Sequence, residues 1–346
     1  MDMNEKLSFA CDYAKGAHPD ILRRMMETNM IKTAGYGLDE ISESARNRIR
    51  KACGCEKAAV EFLVGGTQTN AVMIGAMLRS YQGVIAAETG HISVHEAGAI
   101  EFGGHKVLTL PHHLGKISAA AIAAYCENNL HDSNREHMVM PGMVYISQPT
   151  EYGTLYSLAE LTAISEVCHR YHLPLYVDGA RLAYALACPA NDVTLPDLAR
   201  LTDVFYIGGT KCGALFGEAV VIPDAALIPH FFTIIKQHGA LLAKGRLLGI
   251  QFGTLFTDDL YLHIGQNAIT AADKLRAAFA AHGYAFAFNS PTNQIFLKLT
   301  DKEKAHLDQL VESSFWEAPD ADHTIVRLAT SWATPQDKIE ALLCNL

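Results

Sequence analysis

What most limits the folds open to this chain is a regular switching of period. Between about residues 40 and 235, short apolar runs that read as buried strands alternate with stretches of helical character. "AAVEFLVGG" precedes "TQTNAVMIGAMLRSY", and "GVIAAETG" leads into "HISVHEAGAIEFG". "MVYISQPTE" precedes "SLAELTAISEVCHRYH", and "LPLYVDGAR" leads toward "DVFYIGGTK". Such alternation predicts right-handed crossovers on a mostly parallel sheet, an α/β architecture that binds ligands beyond the carboxyl ends of its strands. After residue 235 the pattern changes to long helical reaches, then to the strand-like runs "YAFAFN", "NQIFLKL" and "HTIVRLATSW". The expected organisation is therefore an N-terminal arm (1–39), a large α/β domain (40–240) and a smaller C-terminal α+β domain (241–346).

The strand ends carry the chemistry. In "DVFYIGGTKCGALFG" a buried strand stops at two glycines and a threonine, and Lys211 follows among small residues that leave its amine unscreened. One helical crossover earlier, "LPLYVDGAR" places Asp178 where its strand stops. A third strand end, "FLVGGTQTN", brings Gly65, Gly66, Thr67 and Gln68 to the start of a helix, where backbone N–H groups and the helix dipole favour an anion. Taken singly, each has a plain reading: a helix cap, a capping aspartate, a surface lysine with its stem on apolar surface. Taken together on one sheet edge, an amine, a carboxylate and an anion cradle are what pyridoxal 5′-phosphate requires. Lys211 would bond its aldehyde, Asp178 would keep its ring nitrogen protonated, and the glycine-rich turn would hold its phosphate. His91, on a fourth strand end, offers a flat imidazole to stack on the ring.

Composition narrows the function classes. The 346 residues carry a formal net charge of -9 without a basic block, so neither nucleic acid nor an anionic membrane surface is an expected partner. The N-terminus lacks an apolar signal-like core and no long uninterrupted apolar run appears, which predicts a cytoplasmic protein. The eight cysteines, among them Cys53 and Cys55, lack zinc-pair spacing and read as buried thiols. The 16 histidines likewise show no metal-ligand pattern. A small molecule is the expected partner.

The order "GGTQTN", "GHISVHEAG", "VDGARLAYAL", "GGTKCGALFGEAVVI" resembles the fold-type I pyridoxal-phosphate enzymes of the threonine aldolase and β-eliminating lyase group over nearly the whole chain. That resemblance implies an aspartate aminotransferase-like fold. It implies Lys211 as the cofactor lysine, Asp178 as the partner of the ring nitrogen, His91 against the ring, and Gly66, Thr67 and Gln68 at the phosphate. It places Arg181 of "DGAR" near the ring oxygen or the substrate carboxylate. Arg327 in "IVRLATSW" becomes a second carboxylate-binding arginine, a task suited to a planar fork of donors. In "KQHGALLAKGR", Lys244 or Arg246 would be the counterpart of a phosphate-binding residue donated by a neighbouring subunit, which implies a homodimer or homotetramer with shared active sites.

Two departures from the family pattern bear on substrate. Cys11 in "ACDYAKG" stands where a serine hydroxyl commonly helps hold the carboxylate, and Glu151 in "QPTEYG" stands where a histidine commonly lies by the substrate hydroxyl. The expected reaction is cleavage of a β-hydroxy-α-amino acid of the threonine or allo-threonine type to glycine and an aldehyde. Glu151, His91 or an ordered water would serve as base. The alternatives are a β-eliminating lyase on the same scaffold and, from another class, a non-catalytic nucleotide-binding α/β protein. A second reading of Glu151 is as a cap on the turn before "SLAELTAI".

Overall fold

The computed structural model describes residues 6–344; the first five residues of the expected arm lie outside them. Strands β1 (Leu7–Ser8), β2 (Ala59–Leu63), β3 (Gln82–Ala87), β4 (Val107–Leu110), β5 (Met140–Ser147), β6 (Leu175–Asp178), β7 (Val204–Gly208) and β8 (Glu218–Ile222) come first. They are followed by β9 (Ala285–Phe286), β10 (Gln294–Thr300), β11 (Val311–Glu312), β12 (Ser314–Glu317) and β13 (His323–Ala329). Four helices matter to the site or its approach: α1 (Pro19–Thr28), α2 (Glu40–Ala52), α3 (Gly66–Met77) and α4 (His91–Val94).

Seven strands form one sheet in the order β2-β8-β7-β6-β5-β3-β4. The ladder from β7 through β4 is parallel throughout, as the alternating periods require. β8 alone runs against its neighbours, pairing antiparallel with both β2 and β7. Its first residue, Glu218, therefore lies opposite Leu63 and Gly208, the last residues of those two strands, and shares the carboxyl edge of the sheet.

Both faces of the sheet are covered, and the period of two decides which residue meets which layer. Val144, Ile146, Leu175, Val177, Phe205 and Ile207 join one hydrophobic cluster, whereas Met143, Tyr145, Tyr176, Val204 and Tyr206 join the other. Full burial of an aliphatic or phenyl side chain in such a layer contributes about 2 kcal/mol. Parity also fixes where Asp178 points, because it falls two residues after Tyr176 and so lies on the face of the three tyrosines.

Close packing dictates the turns. A Cβ on Gly179 would stand 1.9 Å from the Tyr206 carbonyl oxygen, so the residue after Asp178 has room only for hydrogen. A Cβ on Gly208 would meet the Ala180 carbonyl oxygen at 2.4 Å, the reciprocal constraint from β7. The two strand ends that carry Asp178 and Lys211 are thereby pressed together.

The C-terminal part holds an antiparallel sheet, β12-β13-β10-β9, packed with Leu275 and Phe279 of the helix Leu260–Ala281. The N-terminal segment crosses to it: β1 pairs in parallel with β11, and Phe9 bonds through its backbone to Glu312 and Ala329. Phe9 is 2% exposed within that core, which anchors the segment just before Cys11–Tyr13.

Candidate active site

The carboxyl edge opens into a cavity of about 260 Å³ lined by Lys211, Asp178, His91, Glu151, Gly66, Thr67 and Arg181, seven of the residues singled out in the sequence. Larger clefts of about 760 and 920 Å³ lie elsewhere, but they are lined by exposed arginines and carboxylates of α1 and α2 or by loop residues near Tyr261, and no comparable set of buried groups converges there.

Lys211 sits three residues beyond β7. Burial and the neighbouring Arg181 guanidinium pull its pKa below the ordinary lysine range, against the opposing attraction of Asp12, Asp178 and Glu218. A lowered lysine is the reactive one, since its neutral amine attacks a carbonyl. Its Nζ lies 5.9 Å from the centre of the Tyr13 ring, and the Tyr184 hydroxyl donates to its backbone carbonyl.

Asp178 is 4% exposed and accepts four hydrogen bonds. Tyr206 (2.5 Å) and the Ala180 N–H (3.0 Å) donate to Oδ1, while Tyr145 (2.6 Å) and Asn70 Nδ2 (3.2 Å) donate to Oδ2. Burial alone would raise its pKa, but His91, the two phenols and the Ala180 N–H together hold it below the ordinary carboxylate value. The group is a buried anion made stable by its donors. The strands supply these phenols by parity, one tyrosine each from β5 and β7, with Tyr176 of β6 donating to Asn70 Oδ1 at 2.8 Å.

At the third strand end, Gly65 is extended and no side chain caps α3, so the N–H groups of its first turn have no partner within the helix. Gly66 and Thr67 face the cavity, and a Cβ on Gly66 would approach the Tyr206 hydroxyl at 3.3 Å. Gln68 does not join them: its Oε1 turns back to accept the Val64 N–H at 3.1 Å. The carbonyl-reactive amine, the ring-facing carboxylate and the uncapped helix start match an aldehyde, a basic ring nitrogen and a phosphate.

His91 opens α4. Its ring Nδ1–H points to Glu96 Oε1 at 2.7 Å, and the same oxygen accepts from Asn70 Nδ2 at 2.7 Å. The Asn70 amide thus bridges Glu96 and Asp178, joining the ring-stacking candidate to the nitrogen-binding one in a buried network. The His91 backbone N–H donates to Glu151 Oε1 at 2.9 Å, as does the Ser147 hydroxyl at 2.8 Å. Burial raises the Glu151 pKa above its ordinary value, with the Ser147 hydroxyl in partial opposition. The alternative role for Glu151 as a cap before "SLAELTAI" is not what the fold shows, because Ser157 and Glu160 form the capping box of the helix Leu158–Arg170.

The arginines are held differently. Arg181 grips Asp12 through two bonds, Nε to Oδ2 at 2.6 Å and Nη2 to Oδ1 at 3.1 Å. Burial works against ionised Asp12, but Arg181, Lys211 and Asn293 overcome it and bring its pKa down to about 2. Arg327 does not line the cavity. It donates to Ala10 O (3.2 Å), Gln294 Oε1 (3.3 Å) and Ser314 Oγ (3.3 Å), with its guanidinium 5.8 Å from the Trp316 ring centre. Cys11 is likewise absent from the cavity wall, which its neighbour Tyr13 enters instead. Lys244 is exposed on the loop before the helix Arg246–Leu255, and Arg246 is bonded to Asn29 O and Ile31 O of its own chain.

Asp12, Tyr13, Asn70, Glu96, Glu218 and the tyrosines on β5 to β7 were not singled out from sequence. The signal for the tyrosines was present: each of "VYIS", "LYVD" and "VFYIG" carries one, and two positions separate Tyr176 from Asp178.

A family model described as "Beta-eliminating lyase" matches residues 9–302. A low specificity L-threonine aldolase of Pseudomonas aeruginosa is 32% identical over 298 residues, 85% of this chain and 84% of that protein. A solved structure of a Leishmania major threonine aldolase superposes with a TM-score of 0.94 at 44% identity, covering 98% of both chains. A putative L-allo-threonine aldolase from Listeria monocytogenes, at 18% identity and a TM-score of 0.76 over 99% of this chain and 96% of that one, shares the fold.

Proposed function

Because the chain belongs to the β-eliminating lyase family, whose fold-type I members depend on pyridoxal 5′-phosphate, we propose that it cleaves β-hydroxy-α-amino acids of the threonine and allo-threonine type to glycine and an aldehyde. The observation that carries this reading is the convergence of Lys211, Asp178, His91 and Glu151 on one cavity beside the uncapped start of α3. It is supported by the threonine aldolases to which the chain is similar. Family membership sets aside the nucleotide-binding alternative.

Bound in this cavity, pyridoxal phosphate supplies an electron sink conjugated to the substrate's Cα. The chain's own groups prepare the rest. Lys211, whose pKa burial and Arg181 lower, would be the amine that bonds the cofactor's aldehyde. Asp178 keeps its negative charge through four donors and would offer it to the ring nitrogen. Gly66 and Thr67 would hold the phosphate, and the His91 ring, oriented by Glu96, would stack on the cofactor ring. Arg181, steadied by Asp12, would meet the substrate carboxylate at the cavity wall, whereas Arg327, off that wall, bonds Ala10 of the N-terminal segment that brings Tyr13 to it. Glu151 accepts the β-hydroxyl proton as the Cα–Cβ bond breaks, a role that suits a buried carboxyl whose pKa is raised toward neutrality.

The enzyme acts as a homo-oligomer in which Lys244 reaches a neighbouring subunit's phosphate site; its exposure on a loop outside the protomer's own cavity supports this. No helix among the described residues is long and apolar enough to cross a membrane. A cytoplasmic location is supported by eight free cysteines, five of them buried.

Product analysis tests the activity. Glycine and acetaldehyde should appear from L-threonine or L-allo-threonine in the presence of the cofactor. Pyruvate and ammonia from serine or cysteine derivatives, with no glycine from any β-hydroxy amino acid, would replace the aldolase reading with a β-eliminating lyase.

A further inference from the structure

Glu218 is a carboxyl that the proposed reaction does not use. It begins the one strand of the central sheet that runs backwards, and the register sets it opposite Leu63 and Gly208. From Leu63 the chain passes through Val64 and Gly65 into α3; from Gly208 it passes through Gly209 and Thr210 to Lys211. The carboxyl therefore sits between the anion-binding helix start and the cofactor lysine, and it lines the same cavity as Gly66, Thr67, Thr210 and Lys211. It is 3% exposed, its Oε2 accepts the Gly209 N–H at 3.0 Å, and it forms no ion pair among the described residues.

We propose that Glu218 is a positioning residue for the cofactor's phosphate which meets that group as a neutral carboxylic acid, so that phosphate binding at α3 is linked to a proton on Glu218. An ionised carboxylate and a phosphate dianion enclosed in one small cavity repel each other with little solvent to screen them, whereas the acid form removes that repulsion and adds an O–H donor. The proton comes from solvent and no bond other than O–H is made or broken.

The surroundings favour the neutral form. Burial is the largest influence, and Asp178 adds to it; the Thr210 hydroxyl, the Gly209 N–H and Lys211 act in the other direction, and the balance lifts the pKa to about 8. The remaining titratable groups that feel its charge are the phenols of Tyr206 on the neighbouring β7 and Tyr176 on β6 beyond it, Tyr261 from the helix Leu260–Ala281 and the Cys212 thiol, all of which are themselves pushed upward by burial. None of them supplies a cation. A glutamine would satisfy the Gly209 N–H equally well, so a purely structural role does not call for an ionisable group.

The inference rests on α3 as the phosphate site, and its test keeps the two apart. The probe is 4′-deoxypyridoxine 5′-phosphate, which carries the ring and the phosphate but no aldehyde, bound to cofactor-free protein and followed by calorimetry. Between about pH 6.5 and pH 9, the dissociation constant of the wild type should rise about tenfold relative to that of Glu218→Gln, because only the wild type acquires the opposing charge. Parallel curves for the two proteins overturn the proposal. Thr67→Val should weaken the probe at every pH; unchanged binding there refutes the phosphate site itself and the proposal with it. Should the glutamine variant not fold, the wild type alone decides. At about pH 9, adding sulfate should restore the infrared carbonyl stretch of a protonated carboxyl, and no change in that band overturns the proposal.

Discussion

Glu151 is the residue on which the proposed chemistry depends most. A carboxylate in water is too weak a base for a hydroxyl, but burial raises the Glu151 pKa against the opposing pull of the Ser147 hydroxyl and so strengthens it as a base. Glu151→Gln keeps the shape and removes the basicity. Cleavage of threonine and allo-threonine should fall about a hundredfold or more, while the visible spectrum of the bound cofactor stays nearly unchanged; retained cleavage would shift the base to His91 or to water. At this scale the sequence was informative wherever a residue sat at a strand end. Lys211, Asp178, Gly66 and Thr67 are legible from local punctuation by glycine and threonine, whereas Glu151 is reached only through the family resemblance. Asp12 was not, because its bond to Arg181 joins positions 169 residues apart and leaves no local pattern. Gln68 shows the opposite failure: its position in the turn was right for an anion contact, but its side chain serves the Val64 N–H.

Elements position these side chains through contacts that admit little change. The turn after β6 lies against the Tyr206 carbonyl, so Gly179→Ala should force β6 and β7 apart, lower stability by about 2 kcal/mol and displace Asp178. Chemical denaturation of the cofactor-free variant measures the first effect. Stability equal to that of the wild type would mean that the turn relaxes without cost. The alternation of periods made the parallel ladder legible, since each strand-like run was followed by a helical one. The reversal of β8 was not legible: a five-residue buried strand has the same apolar composition in either direction, and only its pairing with β2 and β7 defines its sense. Likewise, the convergence of tyrosines on Asp178 depends on the lateral order of β5, β6 and β7, which periodicity within one strand does not contain.

In the whole molecule, the N-terminal segment ties the C-terminal sheet to the central one. It pairs with β11, buries Phe9 in the C-terminal core, and then delivers Asp12 and Tyr13 to Arg181 and Lys211. The proposed assembly extends such sharing to a second subunit. Lys211→Ala and Lys244→Ala proteins, each inactive alone, should regain partial activity when mixed, through hybrid sites carrying both lysines; no recovery in demonstrably mixed oligomers would remove Lys244 from the site. The central claim concerns one atom, the Nζ of Lys211, and borohydride reduction of the holoenzyme followed by peptide mapping tests it most directly. The account predicts a phosphopyridoxyl group on Lys211 and on no other lysine; the group on a different residue, or no label on protein that has bound the cofactor, would contradict it.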